Sequence, residues 1–258
     1  MLMPYSAEQI EQMGQALDEW FERERTLTLT LFAYRWGDAG AREMMEHGVS
    51  RRIATLKHCL ERTFETVPPD TKQPSRGELL DVTAFLQTFF INAFGTTDNL
   101  AWVWVKEVGV TDRRGRPLAR SEVGLTPRHV DLRQSLSETT RAYLATADEW
   151  FGYLQDYRHA LAHRIPLYIP PTIVTPEEVE EFKLFEAEMM AEGFSPERWH
   201  RVLAAQGALG RFEPVMMHSY GEGAQPMWFH GQMICDFATV IEIAEHVVRD
   251  LQAIPGAA

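Results

Sequence analysis

The sequence predicts an all-α protein, an antiparallel helical bundle with accessory helices toward its C-terminal end. Three observations carry this. Apolar residues recur at spacings of three and four along most of the chain. Two capping boxes, Ser6 with Gln9 and Ser75 with Glu78, stand just ahead of such runs. Convincing strands are absent: the one alternating stretch, residues 26–31, also continues a helical stripe through Leu27, Leu31 and Tyr34.

The first helix follows Ser6, with Ile10, Met13, Leu17 and Trp20 on one face. Gly37-Asp38-Ala39-Gly40 breaks it. The second carries Met45, Val49, Ile53, Leu56, Leu60 and Phe64 and stops before Pro68-Pro69, which cannot continue a helix. The third, from Ser75 to about Val108, is apolar nearly all round, as a central buried helix would be. Its few polar residues, among them Asp81, Thr88, Asn92 and Asn99, fall in one line. Residues 109–135 read as a loop, long enough to be either functional or mobile. A fourth helix is expected over about 137–164, with Tyr143, Ala147, Trp150, Leu154, Tyr157 and Leu161 as its seam. Thr175-Pro176 and Ser195-Pro196 open two more, because proline suits the first helical turn. Residues 212–229 read as irregular. The last helix is built on Ile234, Phe237, Ile241, Ala244, Val248 and Leu251. The division this suggests is a bundle over residues 1–170 and an extension over 171–258 that packs back on it.

Composition bounds the function. Hydrophobic residues at 45% and charged residues at 24% give an ordinary globular balance, so disorder is excluded. No run of eighteen apolar residues and no leader of the secretory type point to a cytoplasmic protein with no membrane partner. Two distant cysteines, Cys59 and Cys235, make no disulfide framework. A net charge of −12 argues against broad, non-specific coating of nucleic acid. The charge is uneven, however. Glu177, Glu178, Glu180, Glu181, Glu186, Glu188 and Glu192 face only Lys183, whereas residues 111–133 hold six arginines against three carboxylates. A confined cationic site is therefore compatible with an acidic chain.

The fourth helix is the informative one. Opposite its seam, Gly152, Asp156, His159 and His163 form a second stripe, with Arg158 between the two faces. Tyr157-Arg158-His159-Ala160-Leu161-Ala162-His163 resembles the motif of the HEPN superfamily, an arginine, often followed by Asn, Asp or His, with a histidine four to six residues on. A polar residue directly after the arginine, and the position near the end of a core helix, set this copy apart from Arg42 with His47 and Arg52 with His58. The resemblance implies a compact helical bundle, usually dimeric. It also implies a metal-independent endoribonuclease of the toxin–antitoxin or phage-defence kind, needing no cofactor. Arg158 would hold the scissile phosphate, His163 would act as general acid or base, and His159 would orient the pair at a homodimer cleft. An antitoxin or defence-system partner would follow. Such chemistry requires a proton-transfer group that titrates near neutrality and a fixed cation shaped for phosphate, which are histidine and arginine.

Around this pair, Asp156, Asn92, Asp98 and Asn99 are candidate supporting residues. Arg113, Arg114 and Arg116 are candidate phosphate grips. Two other readings stand beside the nuclease. One is a non-catalytic module that binds RNA or protein through the same face. The other is a metal-binding bundle using Asp156-x-x-His159 and Glu197-x-x-His200, with Asp148, Asp236 or His246 in support.

Overall fold

The computed structural model describes residues 5–191, 193–219 and 225–254; Glu192 of the acidic run lies outside them. The protein is all-α. Helix α1 (Ala7–Ala33) begins with the predicted box: Ser6 N–H donates to Gln9 Oε1 at 2.8 Å, and Gln9 N–H to Ser6 Oγ at 3.2 Å. Its alternating tail is helical. Leu27 and Leu31, four apart, are buried, whereas Leu29 and Phe32 are exposed. Burial there follows the helical period, not the period of two.

The second predicted helix is made of three pieces: α2 (Ala39–Glu43), a π turn (Met44–Val49) and α3 (Ser50–Thr66). The seam of Met45, Val49, Ile53, Leu56 and Leu60 is buried throughout. The π turn contains Gly48, where a Cβ would lie 3.0 Å from the Asn99 amide, so the backbone and that side chain meet closely.

Helix α4 (Arg76–Val108) is the spine of the bundle and packs along α3. Ser75 and Glu78 cap it reciprocally, with Ser75 N–H donating to Glu78 Oε2 at 2.6 Å. Gly109 ends it in the left-handed region at φ 71°. By length and composition α4 could cross a membrane; here Val82, Leu86, Phe89, Phe90 and Ala93 are buried against its neighbours. It is not enclosed all round, since Leu80, Ile91 and Val108 are exposed. Ser75→Ala should lower unfolding stability by about 1 kcal/mol, read by urea denaturation, because an N-cap hydroxyl is lost without touching the core.

Residues 109–135 are more ordered than a plain loop. A bridge joins Thr111 to Pro117, a 3-10 turn spans Arg120–Glu122, and α5 covers Val130–Ser135. Leu118, Val123, Leu125 and Leu132 anchor the segment in the core. The single helix expected over 137–164 is instead two, α6 (Glu138–Thr146) and α7 (Asp148–His163), hinged at Ala147 with φ −91° and ψ 4°. Different ties account for the break. Asp250 accepts from Ser137 N–H at 2.9 Å at the start of α6, and Arg133 pairs with Asp148 at 2.7 Å at the start of α7.

Beyond 165 the chain is extended. Tyr168 bridges Met217, Ile173 bridges Arg211, and a short antiparallel ribbon pairs Val215–Met216 with Met227–Trp228, in the region expected to be irregular. Between these lie α8 (Pro176–Ala191) and α9 (Pro196–Gly207), which pack on each other. The last helix, α10 (Phe229–Gln252), lies inside the bundle against α1, α3, α4 and α6. Its Asp236 is fully buried and accepts from Trp150 Nε1 at 2.9 Å, Gln232 Nε2 at 2.8 Å and Tyr153 Oη at 3.2 Å. Two of those donors belong to α7, so this carboxyl fixes the helix that carries Arg158.

Candidate functional site

The polar line on α4 turns out to be a rack for a side chain from α3. Arg52 Nε donates to Asn99 Oδ1 at 2.8 Å and Arg52 Nη1 to Asn92 Oδ1 at 3.0 Å. Both amides are themselves held: Asn92 Nδ2 donates to the Thr88 carbonyl at 2.8 Å, and Asn99 Nδ2 lies 2.8 Å from Met44 Sδ. The guanidinium crosses Gly95, where a Cβ would stand 2.5 Å from its carbon. A glycine in mid-helix, unfavourable for helix propensity, is thus what lets Arg52 lie flat on α4.

Arg158 approaches from α7. Its guanidinium carbon sits 4.8 Å from the centre of the Phe94 ring, a cation–π distance. It makes no hydrogen bond or ion pair among the described residues, although Asp98 lies close enough to feel its charge. Arg128 comes from the ordered 109–135 segment. Its Nε donates to His129 Nε2 at 3.2 Å, so that ring carries its proton on Nδ1, 2.9 Å from Thr126 Oγ1. Burial, then the Arg128 charge, holds the His129 imidazole below its ordinary range. A neutral His129 is a prop for Arg128. Its ring packs on Gly124, where a Cβ would be 2.3 Å from Cε1.

These groups line one cavity of about 430 Å³, with Arg52, Arg120, Arg128 and Arg158 around a single carboxylate, Asp98. Asn99, Trp102, Gln155 and His159 complete the wall relevant here. Burial pushes the Asp98 carboxyl up, and Arg158, Arg128 and Arg52 pull it back. An adjoining cavity of about 460 Å³ shares Ser121, Arg128 and His129 and adds Arg113, Glu122 and Asp131. The two cavities meet at those shared residues.

Of the residues singled out in the sequence, Arg158, His159, Asp98 and Asn99 are brought together in this cleft. Asn92 stands behind it as a holder of Arg52. His163, exposed at the end of α7, is not part of the lining; its ring lies 6.3 Å from that of His159. Asp156 is engaged elsewhere, with Arg164 at 2.5 Å and His218 at 3.0 Å. Arg113 lines the adjoining cavity while paired to Asp131 at 3.0 Å. Arg114 is exposed, and Arg116 is clasped by Asp112 at 2.7 and 2.9 Å. The arginines of that segment that reach the cleft are Arg120 and Arg128.

Sequence reasoning missed Arg52 as a site residue. Its signal was present: a glycine between two asparagines on an otherwise apolar helix marks a docked polar partner. Among the described residues no group of three His, Cys, Asp or Glu side chains comes together as a metal-ligand set. Asp148 is paired to Arg133, and Asp236 is enclosed by its three donors. Family models, curated proteins and solved structures all gave no match to this chain.

Proposed function

We propose that the cleft binds the backbone of a single RNA strand, with phosphates on Arg52, Arg128 and Arg158. The observation that carries this is four guanidinium groups from three separate segments meeting around one cavity in a chain of net charge −12. Two of them, Arg52 and Arg128, are held in place by neutral partners that leave their charge uncancelled. Pre-oriented guanidiniums suit phosphate because their planar forks donate in pairs. The overall acidity restricts binding to this groove.

A second, catalytic reading is favoured by His159, which opens onto the same cavity as Arg158. In that reading the cleavage is metal-independent, of the HEPN type. The 2′-oxygen attacks phosphorus, the 5′-oxygen leaves, and the products are a cyclic phosphate and a 5′-hydroxyl. Arg158 would stabilise charge on the phosphoryl oxygens, and His159 would take or give a proton. His163, one turn further out, would join through a second copy. The exposed face of Gly152, Asp156, His159 and His163 is the surface on which a homodimer would bring the two sites together.

The test is a labelled single-stranded RNA incubated with pure protein in EDTA, following binding by anisotropy and cleavage on a gel. Binding should fall with salt at a log–log slope of about −2 for three phosphate contacts. Arg158→Ala should weaken it about five- to tenfold. Cleavage lost in His159→Ala or His163→Ala assigns the acid–base group. Binding without cleavage leaves the non-catalytic module. Salt-insensitive or absent binding rejects both readings.

A further inference from the structure

We infer that the cleft selects guanine, using Asp98 to read the base while the arginines hold its phosphates; this rests on the RNA-binding reading above. The polar groups of the cavity divide into those already engaged and those left for a ligand. Asn99 is used at both ends, by Arg52 and Met44. Arg128 is turned by His129. Asp98 lies on α4 in the cavity wall, half-buried, and makes no hydrogen bond or ion pair among the described residues.

A carboxylate that is half-buried beside three guanidiniums, and in contact with none of them, repels a bare phosphate. It suits a ligand that is anionic at one end and a double N–H donor at the other. A nucleotide has that form. Among the four bases, guanine alone places two N–H donors, N1 and the exocyclic N2, side by side on one edge, matching the two carboxylate oxygens. Adenine and cytosine offer an amino group beside an acceptor. Uracil offers one N–H between two carbonyls, which would face Asp98 unfavourably. Trp102, in the same wall, supplies a flat face of the kind on which bases stack. The cavity of about 430 Å³ falls in the range of small-ligand sites.

The experiment is calorimetric titration of the full chain with GMP, IMP, AMP, CMP and UMP, repeated with the Asp98→Asn variant. IMP keeps the guanine ring and phosphate and lacks only the N2 amino group. GMP should bind about tenfold more tightly than IMP, and more tightly than the other three. Asp98→Asn should flatten that preference while retaining phosphate-driven binding, because an amide offers one acceptor and one donor in place of two acceptors. The GMP-to-IMP comparison needs only the wild-type chain, so it stands even where the variant fails to fold. Equal binding of all five nucleotides overturns the guanine assignment and leaves the RNA-binding reading intact. No binding of any nucleotide, together with no salt-sensitive binding of RNA, overturns both.

Discussion

Replacing Asp236 by Asn is expected to stabilise the protein at pH 8 by about 2–4 kcal/mol, measured by urea unfolding, because it removes a carboxylate that must ionise without water. Asp236 is fully enclosed, and burial pushes its carboxyl from 3.8 up to about 7, against the pull of hydrogen bonds from Trp150, Gln232 and Tyr153. The folded pKa is raised, so the contribution is fully present below pH 3.8 and is lost as pH rises through 7. Asn fits the same partners. Trp150 and Gln232 both donate to Oδ1, which an amide oxygen accepts, and the amide nitrogen can donate to the Tyr153 hydroxyl oxygen.

The same substitution should change the shape of the pH profile. His230 is buried with its Nε2 at 2.7 Å from the Val67 carbonyl, and burial lowers its imidazole from 6.5 to about 4. Its folded pKa is depressed, so its stability is present above 6.5 and lost as pH falls through 4. Across most of that window Asp236 and His230 act in opposite directions and largely offset each other, while His129 and His246, also depressed by burial, add on the His230 side. The Asn variant should expose the imidazole slope, with stability rising as pH climbs from 4 toward 6.5 and His230 alone contributing up to about 1.4 kcal/mol per pH unit. A variant no more stable than wild type at pH 8 would mean that the three donors fully compensate the buried charge. Asp236 is no part of the cleft lining, so RNA binding should not move.

The helices were legible in the sequence because local signals and core burial agree there. Ser6 with Gln9 and Ser75 with Glu78 cap as their spacing implies, and seams such as Met45 to Leu60 are buried together. The break at Ala147 was not legible, because no proline or glycine marks it. It comes from tertiary ties, Asp250 to Ser137 and Arg133 to Asp148, which no local spacing reveals; in the sequence Asp148 reads as a supporting metal ligand, not as the partner of an arginine. The 109–135 segment looked like a loop because its apolar anchors, Leu118, Val123, Leu125 and Leu132, follow no helical or strand period.

The site was legible in part for a similar reason. Helical spacing places Arg158 and His159 on α7, and both border one cavity. The expected partner, His163, shares the His159 face but stands one turn further along α7, about 6 Å by helix geometry, and falls outside the lining. Within one chain the cleft is completed by Arg52, Arg120 and Arg128, which no linear motif joins to Arg158. Chain spacing reports what one helix face carries. It is silent on which other helix is packed against that face.

Gly95→Ala should therefore separate binding from stability more cleanly than removal of any charge. The new Cβ would lie 2.5 Å from the Arg52 guanidinium carbon and Nη1, and 2.9 Å from Nε, too close for the side chain to remain. The guanidinium is the free end of a long chain, so it can swing into solvent with little strain. Alanine also favours the helix over glycine by about 1 kcal/mol, which offsets the two hydrogen bonds lost to Asn92 and Asn99. Urea unfolding should then shift by no more than about 1 kcal/mol. RNA affinity should fall about tenfold or more, as one oriented phosphate contact is lost. Arg52→Ala should weaken binding by a similar factor, and the double variant should bind no worse than either single one, since both remove the same contact. Additive losses would show that Gly95 acts on something other than Arg52. Unchanged affinity in both single variants would remove Arg52 from the RNA surface and leave the cleft to Arg128 and Arg158.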